Sequence, residues 1–119
     1  MIDETYIKMC DCPEIQEGHD FSDAVGIIGL TYSSKGNRYY GVKTAYNAMR
    51  FVWVPYQHQL QEIVKYEYPD FGSLLLDVRE YWCNNGYHPI TFDTMEQLWL
   101  AFVMSEKFNK TWNGTNWEV

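Results

Sequence analysis

Cations and aromatic rings alternate through the middle of this chain. Lys35, Arg38, Lys43 and Arg50 fall among Tyr39, Tyr40, Tyr46, Trp53 and Tyr56, and residues 24–61 hold no carboxylate. Aromatic faces stack on nucleobases while cations hold phosphate, so the mixture suits a nucleotide-type ligand. The same residue types anchor protein interfaces. An internal reading competes with both: alternate tyrosines pair across strands, and the cations balance a neighbouring acidic stretch within the molecule.

Other chemistries find less support. Cys10, Cys12, His19, Cys83 and His88 are metal-ligand types, yet no Cys-x-x-Cys or His-x-x-x-His spacing occurs. On a helix, residues 10 and 12 diverge by about 200°, which keeps them from reaching one ion together, and no metal site is expected. There is no Gly-x-Ser-x-Gly elbow, and Cys83 has only His88 near it in sequence, with no third group to orient the pair. Gly26 and Gly29 lack the glycine-rich loop and lysine of a phosphate cradle, and read as places for a bulge or close packing. These patterns point away from an enzyme and call for no cofactor.

Charge is segregated along the chain. Residues 1–23 carry seven carboxylates against Lys8, a local sum of -6; residues 24–61 sum to +4, and residues 62–119 to -5, giving -7 in all. A net negative chain repels duplex DNA, so direct binding to it is not expected. Clustered carboxylates leave open an acidic nucleic-acid mimic, which would occupy another protein's basic groove.

The 119 residues suit one domain spanning 1–119, and 46% hydrophobic content supplies a core without a metal or disulfide. No signal peptide is readable, and the longest apolar run, residues 98–104, is too short to cross a bilayer. The expected location is cytoplasmic, with no membrane partner and three reduced cysteines. Sequons at Asn109 and Asn113 read as chance in that setting.

The elements that must position the aromatic segment follow from local chemistry. Asp3 can cap a first helix, with Ile2 stapled against Ile7, and Pro13 should end or kink it. Residues 25–32 and 38–42, joined by the turn-rich residues 33–37, read as a hairpin, with residues 50–54 as a third strand stopped by Pro55. Helical spacing then places Tyr56, Leu60, Ile63 and Val64 on one stripe. A second such stripe runs through Phe71, Leu74, Leu75, Val78, Tyr81 and Trp82, capped by Asp70 and stopped at Asn85-Gly86. Residues 89–92 form an extended link. Thr94 and Gln97 form a capping box before a helix that is apolar on all sides through residues 98–104, either central in the core or half exposed at a partner interface, which makes a homodimer an open option. Asn113-Gly114 signals a terminal two-residue hairpin displaying Trp112 and Trp117. The fold class is α+β: a small antiparallel sheet of about three strands packed with three to four helices, plus the C-terminal hairpin.

Several blocks resemble a known group. Trp53-Val54-Pro55-Tyr56-Gln57-His58-Gln59-Leu60-Gln61-Glu62, the Met95-Glu96-Gln97-Leu98-Trp99-Leu100-Ala101-Phe102-Val103-Met104 block, and the Trp112-Asn113-Gly114-Thr115-Asn116-Trp117 tail resemble small proteins carried by phages and prophages of Gram-positive bacteria. Ile7-Lys8-Met9-Cys10 and Glu14-Ile15-Gln16 resemble their N-terminus. Those proteins often read Trp-Leu-Pro-Arg-Gln-Asp-Gln-Leu-Gln at the first block, so Tyr56 and His58 replace an Arg and an Asp here. Gln57, Gln59 and Gln61 are kept, as helix caps or ligand donors.

The resemblance implies an accessory or anti-defence protein that acts by noncovalent binding. Its target would be a host protein, through aromatics around Trp53, Trp112 and Trp117, or a nucleotide-type molecule, through Arg38, Tyr39 and Tyr40. A structural or morphogenesis component of the phage particle is the alternative.

Overall fold

Asp3 opens the first helix because its carboxylate accepts the N–H of Tyr6 at 2.7 Å, satisfying one of the orphan donors of the first turn. That helix, α1, covers Glu4–Cys10 and buries Tyr6, Met9 and Cys10. Pro13 ends it and also begins the next, standing at the first turn of α2, Pro13–Gln16, where its missing N–H costs nothing. The computed structural model describes residues 3–46, 48–85 and 92–119. The proposed staple from Ile2, the helix stop at Gly86 and the link through residues 89–91 lie outside them.

The chain divides into two compact units, Met1–Tyr56 and Gln57–Val119. The first unit joins α1 and α2 to an antiparallel sheet of β1 (Gly29–Tyr32), β2 (Arg38–Lys43) and β3 (Met49–Trp53), in that spatial order. β1 is half the length expected for residues 25–32. Gly29 adopts φ +93°, which turns the chain off the sheet edge. The preceding loop then crosses Gly41 so closely that a Cβ there would sit 2.2 Å from the Ile27 carbonyl oxygen. Tyr39 is buried on one face of the sheet and Val52 on the other, and Val54, the α1 side chains and Ile15 are buried as well.

The second unit is built around α5, Met95–Phe108. Its residues Gln97–Met104 are buried, so the all-round apolar pattern reflects a central helix. α3 (Gln57–Val64) contributes Leu60 and Val64 to that core, and α4 (Phe71–Asn85) contributes Leu74 and Val78. The Thr94 hydroxyl accepts the Gln97 N–H at 3.1 Å, as a capping box requires. Gln97 returns its amide oxygen one residue earlier than expected, to the N–H of Asp93 at 2.9 Å. Asn109 ends α5 in the left-handed region at φ +54°.

The terminal hairpin pairs β4 (Thr111–Trp112) with β5 (Trp117–Glu118). Trp112 lies opposite Trp117, so four residues form the loop in place of the two-residue Asn-Gly turn. Asn113 Oδ1 draws the chain round by accepting the N–H groups of Thr115 and Asn116. Trp112 is buried and Trp117 half-buried, edge to face with centroids 5.1 Å apart, so the hairpin tucks in the tryptophans it was expected to display. The fold is α+β. Among the described residues no helix is long and apolar enough to cross a membrane.

Candidate functional site

Register decides which side of the sheet each residue of the basic, aromatic segment faces. Thr31, Tyr39 and Trp53 lie directly opposite one another across β1, β2 and β3, so their side chains share one face. His19 stacks on Trp53 over that face, centroids 4.1 Å apart at an interplanar angle of 10°, and Phe21 meets His19 edge to face. Tyr39 is fully buried beneath them.

The Tyr39 hydroxyl is the hub of a polar network. It lies 2.5 Å from Asp23 Oδ1 and 2.7 Å from His19 Nε2. Asp23 also accepts Asn37 Nδ2 at 3.1 Å. Hydrogen bonds from Ser33 and then Tyr39 hold the Asp23 carboxyl well below the usual carboxylate range. Tyr39 is pushed upward by burial and by its bond to that carboxylate. Burial holds His19 below its ordinary value, against the opposing pull of Asp23 and Asp20. An ionised Asp23 can only accept, so Tyr39 donates to it and His19 Nε2–H donates to Tyr39. This chain of bonds fastens the loop carrying His19 and Asp23 onto the sheet.

Arg38, expected to face a ligand, is only 8% exposed. Its Nε donates to the Val54 carbonyl and its Nη2 to the Pro55 carbonyl, both at 3.1 Å, and its guanidinium lies 4.2 Å over the Tyr56 ring. Arg50 forks onto Asp11 at 2.9 and 3.0 Å. Lys35 and Lys43 are exposed, while Tyr40, Trp53 and Tyr56 are half-buried. Gln57 and Gln59 are half-buried in the first turn of α3, so they belong to the second unit with Trp112 and Trp117. The cations at positions 38 and 50 and the hydroxyl of Tyr39 therefore have partners inside the first unit.

The two edges of the sheet differ. At β3 the Gln16 side chain behaves as a short extra strand, its Nε2 donating to the Trp53 carbonyl at 2.8 Å and its Oε1 accepting the Trp53 N–H at 2.7 Å. At β1 the bond from Ser33 N–H to the Asn37 carbonyl sets the alternation. Thr31 and Gly29 therefore pair with β2, and the N–H and C=O groups of Leu30 and Tyr32 point outward. Among the described residues these outward groups have no backbone partner. Beside them Ile28 and Tyr32 are each 63% exposed, with Val25 and Ile27 also on the surface. Residues 24–34 hold no charged side chain or proline, so β1 lacks the charged and proline guards of an edge strand, although it is short.

The sequence pattern gives residues 25–32 as one strand of a hairpin and carries no information about its outer edge. The available signal was Gly29, whose placement inside an apolar run marks a break as readily as a bulge. A second surface lies in the other unit, where α4 and the start of α5 enclose a groove of about 420 Å³ floored by Leu75, Val78, Trp82, Phe92, Met95 and Leu98. Its signal was the width of the α4 stripe, which carries more large apolar side chains than one helix face buries.

Among the described residues no group of three or more His, Cys, Asp or Glu side chains could hold a metal ion. No protein-family model, curated protein or solved structure matches the chain.

Proposed function

We propose that this chain is a noncovalent binding protein that takes an extended segment of a partner protein onto the open edge of β1. The observation that carries the reading is the edge of β1, where Leu30 and Tyr32 present outward backbone groups beside exposed Val25, Ile27 and Ile28, whereas on β3 the Gln16 side chain occupies the outward groups of Trp53. Strand addition supplies main-chain hydrogen bonds, and the exposed aliphatic side chains supply apolar contact. The resemblance to small phage proteins supplies a setting, an accessory or anti-defence protein whose partner belongs to the host cell. A nucleotide-type ligand is the weaker reading, because Arg38 and Tyr39 direct their polar atoms into the first unit.

Proline at an outward edge position removes the donor an incoming strand needs and leaves the β1–β2 ladder in place. Tagged wild-type protein, Tyr32→Pro and Ile28→Asp are compared for capture of the same partner from host extract, with circular dichroism reporting the fold. Loss of capture in both variants, with Tyr32→Ala retaining part of it, supports strand addition. Undiminished capture by Tyr32→Pro and Ile28→Asp overturns it.

A further inference from the structure

The groove of the second unit carries charge as well as apolar surface. Arg79 and Asp93 both line it, one from α4 and one from the residues before α5. Neither side chain forms an ion pair among the described residues, and they do not pair with each other. Arg79 differs in this from the chain's two other arginines, of which Arg38 bonds carbonyl groups and Arg50 a carboxylate. Trp82 is 55% exposed and Met95 54%, although both line the groove. A small enclosed ligand would leave such side chains in water, whereas a protein surface covers them.

We infer that a second copy of this chain covers the groove, in a symmetric dimer that sets Arg79 of each copy against Asp93 of the other. A two-fold interface brings one patch against itself, so whatever residue i contacts, its counterpart contacts in return. One unpaired cation and one unpaired anion bordering the same apolar floor meet that requirement, since a single docking satisfies both charges twice. Trp82 and Met95 provide the bulk that enters the facing groove. The apolar contact supplies most of the affinity, and the ion pairs fix the register, because exposed pairs contribute little energy while like charges brought together repel strongly. The second unit sums to -5, so an unpatterned approach of two copies is unfavourable and the match at Arg79 selects this face.

Sedimentation equilibrium on the full chain, from micromolar to millimolar concentration, tests the inference. Wild type should show a monomer–dimer equilibrium. Arg79→Asp and Asp93→Arg should each weaken it by about tenfold or more, and the double swap Arg79→Asp with Asp93→Arg should restore it. Trp82→Ser should abolish it, with far-UV circular dichroism showing the helices retained. A monomer throughout the concentration range overturns the inference. So does a dimer that neither charge reversal nor Trp82→Ser disturbs, which would place the interface elsewhere.

Discussion

Tyr39 carries one hydroxyl proton, and its neighbours decide where it goes. The ionised Asp23 takes it, which leaves the phenolic oxygen to accept from His19. Removing the hydroxyl with Tyr39→Phe strands the His19 donor and takes one bond from Asp23. The expected loss is about 1–3 kcal/mol of unfolding free energy by urea titration at neutral pH. The network also sets a pH dependence. Asp23 has its folded pKa held below the unfolded value, so its contribution is complete above the ordinary carboxylate range and fades as the pH falls through it. His19 has its pKa lowered too, which favours the neutral ring in the fold, and its contribution fades as the pH drops below about 6.5. Both act in the same direction, so stability should decline on acidification. Asp23→Asn should flatten the lower part of that profile; an unchanged profile would show the carboxylate to be a bystander. None of this was legible in sequence, because His19, Asp23 and Tyr39 meet only when the loop folds over the sheet. The same closure explains Arg38: a cation among tyrosines reads as a ligand contact until the carbonyls of Val54 and Pro55 are brought beneath it.

Elements whose signals are local were readable. Asp3 and Thr94 cap their helices through bonds to the third residue on, and the change of period after Pro55 marks the passage from strand to helix. The α5 pattern was readable as either buried or half exposed, and only packing by α3 and α4 decides for burial. Lengths and turns that depend on distant backbone were not legible. β1 ends at Gly29 because the loop must cross Gly41, and the terminal hairpin takes a four-residue loop because Trp112 pairs with Trp117. The β3 edge is the clearest case, since nothing in the local sequence announces that Gln16 will serve as a strand. Its amide satisfies both the N–H and the carbonyl of Trp53 and donates to the Cys10 carbonyl as well. Gln16→Ala should cost about 1–3 kcal/mol in thermal or urea unfolding. Gln16→Glu should not rescue it, because a carboxylate cannot donate to the carbonyls of Cys10 and Trp53.

At the scale of the whole molecule, charges separated in sequence are reunited in the fold. The -6 and +4 stretches both fall within the first unit up to Tyr56, where seven carboxylates meet five cations for a net of -2. Arg50 is matched by Asp11, Arg38 is internal, and the Asp20 carboxyl is held below its ordinary value chiefly by hydrogen bonds from Ser22, with a smaller contribution from the charge of Lys35. The second unit sums to -5. A polyanion therefore meets isolated lysines in place of the continuous cationic track that backbone binding needs. Fluorescence anisotropy with a labelled single-stranded oligonucleotide should show no saturable binding at near-physiological salt. Binding that appears and falls steeply as salt is raised would show the middle segment to be free. Asp11→Ala gives the complementary measurement. It releases one guanidinium, so it should raise any residual low-salt affinity by a few-fold at most, whereas a large gain would mean that this single pair had been masking a basic surface.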